Sequence, residues 1–163
     1  MVSFEPLDID EADAFLEDSI RSFLAERVPA DQVTDENLER VRQEVRQRLL
    51  AHGTLTSDHR FEAIVSGCER VGRLWFGPLR GSAADVYICD MTIDDEHRRR
   101  GHARAAIALI LDDAKQHHAS RVGLTVAHVN ANALALYESL GFVTTRSDEI
   151  DREMWIAVDP SCT

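Results

Sequence analysis

The sequence has little of what marks a secreted, membrane-spanning or fibrous protein. Its 163 residues include three cysteines, Cys68, Cys89 and Cys162, which are too few and too widely spaced for a disulfide framework or a zinc site. No apolar run approaches the ~20 residues that a membrane span requires, and the acidic N-terminus is unlike a signal peptide. Internal repeats, low-complexity tracts and Pro/Gly/Ser linkers are also lacking. We therefore expect one globular domain, residues 1–163, located in the reducing cytoplasm and without a metal.

Basic residues are scarce relative to acidic ones. Lys and Arg total 18 against 29 Asp and Glu, which gives a formal net charge of -11. A chain of this charge repels nucleic acid and anionic lipid, so we expect neither nucleic acid nor a membrane as a partner. Any anion that the chain binds must meet a local positive group. Apolar residues make up 44% of the chain, which is enough for the core of a soluble domain.

The spacing of apolar residues predicts a mixed α/β sheet. Alternating or continuous apolar runs predict seven strands, and apolar positions three and four residues apart predict four helices. In chain order we expect a strand (2–7), two helices (10–27 and 35–52), three strands (60–66, 70–76 and 85–93), a helix (101–117), a strand (121–127), a helix (130–140) and two strands (142–146 and 152–158). Thr34 is the expected N-cap of the second helix, and Gly77–Pro78 and Gly81–Ser82 predict a loop before the fourth strand.

One junction between a strand and a helix is rich in arginine. The strand that ends at Ile93 is followed by a short polar turn and then by the helix that begins near Gly101. The first amides of a helix lack internal acceptors and its dipole adds partial positive charge, so phosphate binds well there. Gly101 allows a ligand to approach the backbone closely. Local positive charge comes from Arg98, Arg99, Arg100 and Arg104. The spacing is compatible both with a phosphate site and with a solvated arginine cluster beside a tight turn.

A second stretch, residues 130–142, predicts a short helix that needs no functional explanation on its own. Asn130 is a suitable N-cap, and Gly141 is a suitable residue to end the helix. Taken alone, Tyr137 is most simply a half-buried packing residue. The two stretches become informative when they are considered together.

Together the two stretches resemble the motifs of the GCN5-related N-acetyltransferase (GNAT) superfamily. Its acetyl-CoA motif, Arg/Gln-x-x-Gly-x-Gly/Ala, matches the run from Arg98 through Gly101 to Ala103, which follows a strand ending in the β-branched Ile93. A later motif, Asn-x-x-Ala…Leu-Tyr-Glu-x-x-Gly-Phe, is matched by Asn130, Ala133, Leu136, Tyr137, Glu138, Gly141 and Phe142. The resemblance covers about residues 60–158. Two motifs in the right order and on the expected elements are specific evidence.

The resemblance implies an α/β fold with a mixed, largely antiparallel and twisted sheet. This sheet would have about six to seven strands, flanked by about four helices, and would be splayed between strands four and five. Residues 60–158 would form the acetyl-CoA-binding core, and residues 1–55 would supply the first strand and a helix pair on the acceptor side. The fifth strand would diverge from the fourth, commonly at a bulge, and leave a wedge for the thioester.

The resemblance also implies how acetyl-CoA would bind as cosubstrate. Backbone amides from Arg99 to Arg104 would hold the pyrophosphate. The backbone of Met91 and Ile93 would pair with pantetheine as a neighbouring strand would, and an N–H near Ile93 would polarise the thioester carbonyl. Asn130 would hydrogen-bond the pantetheine arm. The implied cofactor-binding residues are Met91, Ile93, Arg98, Arg99, Arg100, Gly101, His102, Ala103, Arg104 and Asn130.

The implied reaction is direct transfer of the acetyl group from the thioester to an amine. The motif places Tyr137 as the acid that protonates the departing thiolate. A base must deprotonate the amine, and here the sequence departs from the family, because Tyr87 stands at or near a position where many members have Glu. Asp90 interrupts an apolar run, and burial would raise the pKa of its carboxyl, so it is the favoured base. Asp85 and ordered water are alternatives, and a structural role for Asp90 in anchoring a strand bulge is the competing interpretation.

Two other functions compete with amine acetylation. A GNAT-fold domain without turnover would bind acyl-CoA as a sensor, and the absent glutamate supports that alternative. The arginine cluster would instead suit nucleic acid, but the net charge and the lack of interleaved aromatics argue against such a partner. We expect an amine acceptor on a small molecule or a protein, and the acidic chain favours a cationic one through electrostatic steering. Dimers are common in the superfamily, so a homodimer is a further expectation, although no residue marks an interface.

Overall fold

Seven strands and four α-helices lie within the residues that the computed structural model describes, 1–79 and 82–158. In chain order they are β1 (Val2–Pro6), α1 (Ile9–Ala25), α2 (Asp35–Arg48), β2 (Arg60–Ser66), β3 (Glu69–Leu79), β4 (Ser82–Ile93), α3 (His102–Gln116), β5 (Arg121–Ala127), α4 (Ala131–Leu140), β6 (Val143–Ser147) and β7 (Asp151–Ala157). This is the predicted order of elements. None of the helices in these ranges is long and apolar enough to cross a bilayer.

The strands form one sheet in the order β1-β2-β3-β4-β5-β7-β6. All neighbouring strands are antiparallel except β4 and β5, which run parallel. The pairing of β4 with β5 begins at Asp85 and ends at the Ile88–Leu124 pair. β4 then continues to Ile93 and β5 to Ala127 without further pairing between them, which leaves a space that we call the β4–β5 opening. The predicted mixed sheet, splayed between its fourth and fifth strands, is confirmed.

Each face of the sheet has its own apolar core. On one face, Ile107 and Ile110 of α3 are fully buried in a cluster that includes Ile64 of β2. On the other face, helices α1 and α2 pack against the sheet, and Phe15 of α1 contacts Phe61 of β2 edge to face. We refer to the two sides as the α3 face and the α1 face. Because successive side chains of a strand point to alternate faces, the position of a residue along its strand decides which core it joins.

Side-chain and glycine caps explain where the helices begin and end. At the start of α1, the Glu11 amide donates to Asp8 Oδ1 at 2.9 Å, and the Glu11 carboxylate accepts from the Asp8 amide in return. Thr34 caps α2 as predicted by accepting from the Asn37 amide. Gly141 ends α4 with a left-handed φ of 99°, a conformation that favours glycine.

The loop predicted at Gly77–Pro78 is wrong, because both residues belong to β3. Glycine is needed there for packing rather than for a turn, since a Cβ on Gly77 would lie 2.7 Å from the ring of His59. The same ring bonds the Pro78 carbonyl through Nε2 at 3.0 Å. Pro78 stands next to a register shift near the end of β3, a place where a sheet tolerates proline. Gly81, the other residue that suggested a loop, lies outside the described residues.

Candidate active site

A β-bulge in β4 lies where β4 and β5 begin to diverge. Trp75 of β3 pairs with Asp90, but the next β3 residue pairs with Ile88, so Cys89 is an extra residue in β4. Ile88 joins the core on the α3 face, whereas Cys89 packs on the α1 face. Asp90 also reaches the α1 face, where its carboxylate accepts a hydrogen bond from Ser19 Oγ of α1 at 2.5 Å. The bulge thus turns two successive side chains toward α1 beside the opening.

Two carboxyl groups with raised pKa values lie on the α1 side of the opening. Asp90 is half-buried, and this burial raises the pKa of its carboxyl, while the Ser19 hydrogen bond acts in the opposite direction without cancelling the effect. Glu26 caps the C-terminus of α1. Its partial burial raises its pKa, and the nearby charges of Asp90 and Asp151 raise it further. A carboxyl in such surroundings accepts a proton more readily than an ordinary one.

Asp85 and Tyr87 are already engaged with β5. Both carboxylate oxygens of Asp85 accept from the Arg121 guanidinium at 2.9 Å, and this pairing lowers the pKa of the carboxyl. Asp85 therefore lies at the paired end of β4, away from the opening. The Tyr87 hydroxyl bonds Thr125 Oγ1 across the β4–β5 junction, and burial raises its pKa to about 12. Of the carboxylates that the sequence suggested as bases, Asp90 is the one beside the opening.

Tyr137 approaches the opening from the α3 face. It projects from α4 and is buried against Phe142, with ring centroids 5.8 Å apart. Burial raises the pKa of its hydroxyl to about 12, and the charge of Asp90 contributes in the same direction. Tyr137 is consequently protonated at neutral pH. The structure thus brings Tyr137 and Asp90, which are 47 residues apart in sequence, within electrostatic reach of each other.

The loop that leads into α3 presents unpaired backbone amides. Gly101 occupies the N-cap position with a φ of 83° and makes no side-chain cap. The first helical hydrogen bond runs from the Ala105 amide to the Gly101 carbonyl, so the amides of the three preceding residues have no acceptor within the helix. Arg99 also has a positive φ, 61°. Left-handed residues in such a loop turn successive amides toward one side, which creates a concave anion site.

The four arginines of this loop divide into two groups. Arg98 donates to the Ile93 carbonyl at 2.9 Å and pairs with Asp95 at 2.8 Å, and Arg104 donates to Ser139 of α4 at 2.7 Å. These two side chains brace the loop. The side chains of Arg99 and Arg100 are exposed, and among the residues that the structure describes they have no hydrogen-bond or ion-pair partner. The neighbouring acids, Asp94, Asp95 and Glu96, are exposed and line a cleft of about 420 Å³ with Thr92, Ile93 and Arg98.

The free edge of β4 offers backbone groups to the opening. The Asp94 amide donates to the Val71 carbonyl of β3, and the Thr92 carbonyl also lies against β3. Because backbone groups alternate between the two edges of a strand, those of Met91 and Ile93 point away from β3 toward the opening. The Ile93 carbonyl there accepts from Arg98 and retains a second lone pair.

The remaining predicted contacts lie around the same opening. Asn130 stands between β5 and α4, where its Oδ1 caps α4 by accepting from the Ala133 amide at 3.3 Å. His102 and Ala103 form the first turn of α3 and are partly exposed. Among the described residues, no three His, Cys, Asp or Glu side chains are grouped so that they could hold a metal ion.

Two residues on the α1 side of the opening, Ser19 and Glu26, were not predicted from the sequence. Glu26, the C-cap of α1, lies about two turns beyond Ser19 on the same side of the helix. Ser19 is buried among apolar residues such as Phe15 and Ile20. The sequence does mark Ser19, because it is a polar residue at a position where the helical spacing predicts an apolar one. Nothing local distinguishes Glu26, because its neighbour Asp151 is remote in sequence.

A comparison with known protein families decides the classification. The family model described as the acetyltransferase (GNAT) family matches residues 18–142, which is more than half of the chain. The chain belongs to the GNAT acetyltransferase family. An uncharacterized N-acetyltransferase of Bacillus subtilis, YdgE, is 24% identical to it over 146 residues, which cover 88% of this chain and 92% of the relative.

Solved structures agree with this GNAT fold. YycN of Bacillus subtilis superimposes with a TM-score of 0.76 at 23% identity, over 91% of this chain and 96% of the other. The spermidine N-acetyltransferase of Vibrio cholerae, solved with CoA and spermine, gives a TM-score of 0.64 at 18% identity, over 96% and 95%. At these identities the likeness shows the fold, and the roles of individual residues in this GNAT chain have to be argued from its own geometry.

Proposed function

We propose that this GNAT protein transfers the acetyl group of acetyl-CoA to a primary amine by direct attack. The observation that carries the proposal is that groups suited to bind an anion, donate a proton and accept a proton all lie around the β4–β5 opening. Free amides lie at the start of α3, and the Asp90 carboxylate lies beside the opening on the α1 side. Tyr137, on the α3 side, is close enough to Asp90 for that charge to add to the effect of burial on the pKa of its hydroxyl. An anion site, an acid and a base beside one opening are what acetyl transfer from a thioester requires.

In this proposal the amides from Arg99 to Arg104 bind the pyrophosphate of acetyl-CoA. No side-chain cap occupies the N-terminus of α3, and nothing lies within 4 Å of where a Cβ on Gly101 would be, so the concave side of the loop has room for an anion. The exposed Arg99 and Arg100 add positive charge. The outward backbone groups of Met91 and Ile93 pair with the pantetheine arm, and Asn130 bonds it from the other side of the opening.

In the proposed chemistry two protons leave the amine nitrogen and one reaches the departing sulfur. The acceptor arrives as an ammonium ion, which has no lone pair, so a proton must leave before attack. Asp90 and Glu26 are the carboxyl groups whose raised pKa values suit them to receive that proton, directly or through water. A bond then forms from the amine nitrogen to the acetyl carbon, the carbon–sulfur bond breaks, and the Tyr137 hydroxyl gives its proton to the thiolate. The nitrogen, now positively charged, loses its second proton, which restores the Tyr137 hydroxyl directly or through water. General acid–base assistance of this kind contributes about 10²–10⁴-fold.

The acceptor class is a primary amine on a small molecule or a protein. Carboxyl groups on the acceptor side and a net charge of -11 favour an acceptor that is itself cationic. The structural neighbour solved with CoA and spermine supports an amine of this kind, although at 18% identity its substrate does not transfer directly. We further propose that the helices of residues 1–55 supply the acceptor side of a single domain.

Thermal unfolding followed by a thiol-release assay tests the proposal. Acetyl-CoA at 100 times its Kd stabilises a binding protein by about 2.7 kcal/mol, which raises Tm by roughly 5–11 °C for a domain of this size. We expect that shift, together with CoA thiol release that depends on an added amine. A shift without release across a broad panel of amines would favour the acyl-CoA sensor. No shift at saturating acetyl-CoA would contradict both functions.

A further inference from the structure

Ser19 is a buried polar residue in the apolar stripe of α1. The same side of the helix carries Phe15 and Ile20, and Ser19 itself is 8% exposed. A hydroxyl that is removed from water is costly unless it makes a hydrogen bond. Ser19 Oγ donates to Asp90 Oδ2 at 2.5 Å, a contact between residues that are 71 positions apart in sequence. The carboxylate on β4 therefore explains why a polar residue is tolerated in this stripe.

Contacts on either side of Ser19 attach α1 to the rest of the protein. Before it in the helix, Asp13 accepts a hydrogen bond from Thr54 Oγ1, in the segment between α2 and β2, at 3.0 Å. Just beyond the helix, Arg27 donates through Nη2 and Nε to the two carboxylate oxygens of Asp151 in β7, at 2.7 and 3.1 Å. The fold thus sets the position of the Ser19 backbone relative to β4.

The other charged groups around the Asp90 carboxyl do not replace the bond from Ser19. Arg73 of β3 lowers the pKa of Asp90, but it pairs with Asp18 of α1 at 3.3 Å, and the charge of Asp18 acts in the opposite direction. Three further titratable groups within electrostatic reach of Asp90 are Cys89, Glu26 and Tyr137. Among the described side chains, Ser19 is the one that donates a hydrogen bond to this carboxylate.

The Asp90 carboxylate also reaches the edge of the β4–β5 opening. The Met91 N–H points away from β3 toward the opening, and it lies close enough to the Asp90 carboxyl to lower its pKa. A carboxylate has two oxygens that can each accept hydrogen bonds. Ser19 can therefore hold one oxygen on the α1 side while the other is available to a ligand in the opening.

We propose that Ser19 is a positioning residue for acetyl transfer. Its hydroxyl holds Oδ2 of Asp90 against α1 and leaves Oδ1 free to receive the proton of the acceptor amine. The inference rests on the proposed function. Because the hydroxyl donates to the ionised carboxylate, the same hydrogen bond favours the form of Asp90 that can act as a base. Ser19 does not touch the reacting atoms, so it acts through Asp90 alone.

Steady-state kinetics of two matched variants test the inference. Ser19→Ala removes the hydroxyl that bonds Asp90. Thr54→Val is the control, because it also removes a buried hydroxyl from a carboxylate, in this case that of Asp13. A hydroxyl with a merely structural role would act alike in both variants. We would measure kcat and kcat/KM for 1,4-diaminobutane from about pH 5 to pH 9, together with the Kd for acetyl-CoA.

We expect Ser19→Ala to lower the plateau value of kcat about tenfold, which is the effect of losing one hydrogen bond to a charged group. The acid limb of kcat/KM should move to higher pH, because the ionised form of Asp90 loses its donor. The Kd for acetyl-CoA should stay unchanged, and Ser19→Thr, which restores a hydroxyl, should recover the activity. Thr54→Val should change neither kcat nor the acid limb.

The same substitution in an Asp90→Asn background shows whether Ser19 acts through Asp90. There Ser19→Ala should cause no further loss, because the two residues act as one unit. An equal loss in both backgrounds, or in Thr54→Val, would mean that the hydroxyl is only structural and would overturn the inference. If Ser19→Ala is as active as the original protein, the inference fails and the proposed function stands. If the original protein binds acetyl-CoA but acetylates no amine, the proposed function fails and the inference fails with it.

Discussion

The two faces of β4 present different kinds of chemistry to the same opening. Toward α3, apart from the Tyr137 side chain, the protein offers backbone: the uncapped amides after Gly101 and the outward groups of Met91 and Ile93. Toward α1, it offers side chains, with Ser19 on Asp90 and Arg27 on Asp151. A site built from backbone suits a ligand part that never changes, such as a pyrophosphate. A site built from side chains can differ between relatives, which suits the acceptor.

The difference also explains why the β4 bulge is placed where it is. If side chains alternated regularly through Cys89, Asp90 would lie on the same face as Ile88, in the apolar core against α3. An unpaired carboxylate there would be costly. The bulge moves Asp90 to the α1 face, where Ser19 can bond it, and it marks the point at which β4 and β5 separate. One extra residue in β4 therefore places the Asp90 carboxylate on the α1 side, at the point where the opening begins.

The largest effect that we predict is the loss of turnover in Tyr137→Phe. Without the hydroxyl proton the thiolate departs unassisted, so kcat should fall by about 10²–10⁴-fold while acetyl-CoA binding is retained. Tyr87→Phe is the matched control, because Tyr87 is also buried with a pKa of about 12 but bonds Thr125 at the closed end of the opening. Its kcat should stay within about threefold of the original. Equal losses in the two variants would show that Tyr137 has no special role.

A second prediction separates backbone strain from ligand contact on the α3 side. Gly101→Val strains a left-handed residue and places a side chain against the exposed amides, so we expect the Kd for acetyl-CoA to rise at least tenfold, about 1.4 kcal/mol. Gly67→Val introduces comparable strain, since Gly67 has a φ of 66° and, like Gly101, has nothing within 4 Å of its Cβ position. Calorimetric titration should show an unchanged Kd for Gly67→Val. A similar rise in both variants would contradict the assignment of the amides.

The smallest predicted effect is a pH-dependent gain of stability in Asp90→Asn. Because the Asp90 pKa is raised in the folded state, ionisation destabilises the native protein as the pH increases through that pKa. The variant lacks this cost, so its free energy of unfolding relative to the original protein should increase as the pH rises above 3.8, the ordinary pKa of an aspartate. A relative free energy of unfolding that does not change with pH would contradict this prediction. Urea unfolding at several pH values would decide between these outcomes.

The sequence predicted the features that depend on local pattern. Apolar spacing located the helices and strands, and Thr34 and Gly141 have the capping roles expected of them. The glycine and arginine pattern identified the loop before α3. Local pattern failed at Gly77, where glycine serves close packing against His59 rather than a turn. In that case the neighbour that explains the residue is 18 positions away.

Features that depend on contacts between distant segments could not be predicted. Arg27 and Asp151 are separated by 124 residues, and neither carries a motif. Glu26 acquires its raised pKa only because folding brings α1 close to β4 and β7. A strand bulge at Asp90 was one interpretation of the sequence, and a bulge lies there. That Cys89 is its extra residue follows from the register between β3 and β4, which the alternation within β4 alone does not reveal.

Backbone amide chemical shifts during a titration with acetyl-CoA test the central claim most directly. If the cosubstrate lies in the β4–β5 opening with its pyrophosphate on the loop before α3, the largest shifts will fall on the amides from Arg99 to Arg104, followed by those of Met91 and Ile93. The amides of the β2–β3 turn around Gly67 should not move. Saturable binding that leaves the amides of residues 99–104 unshifted would contradict the account.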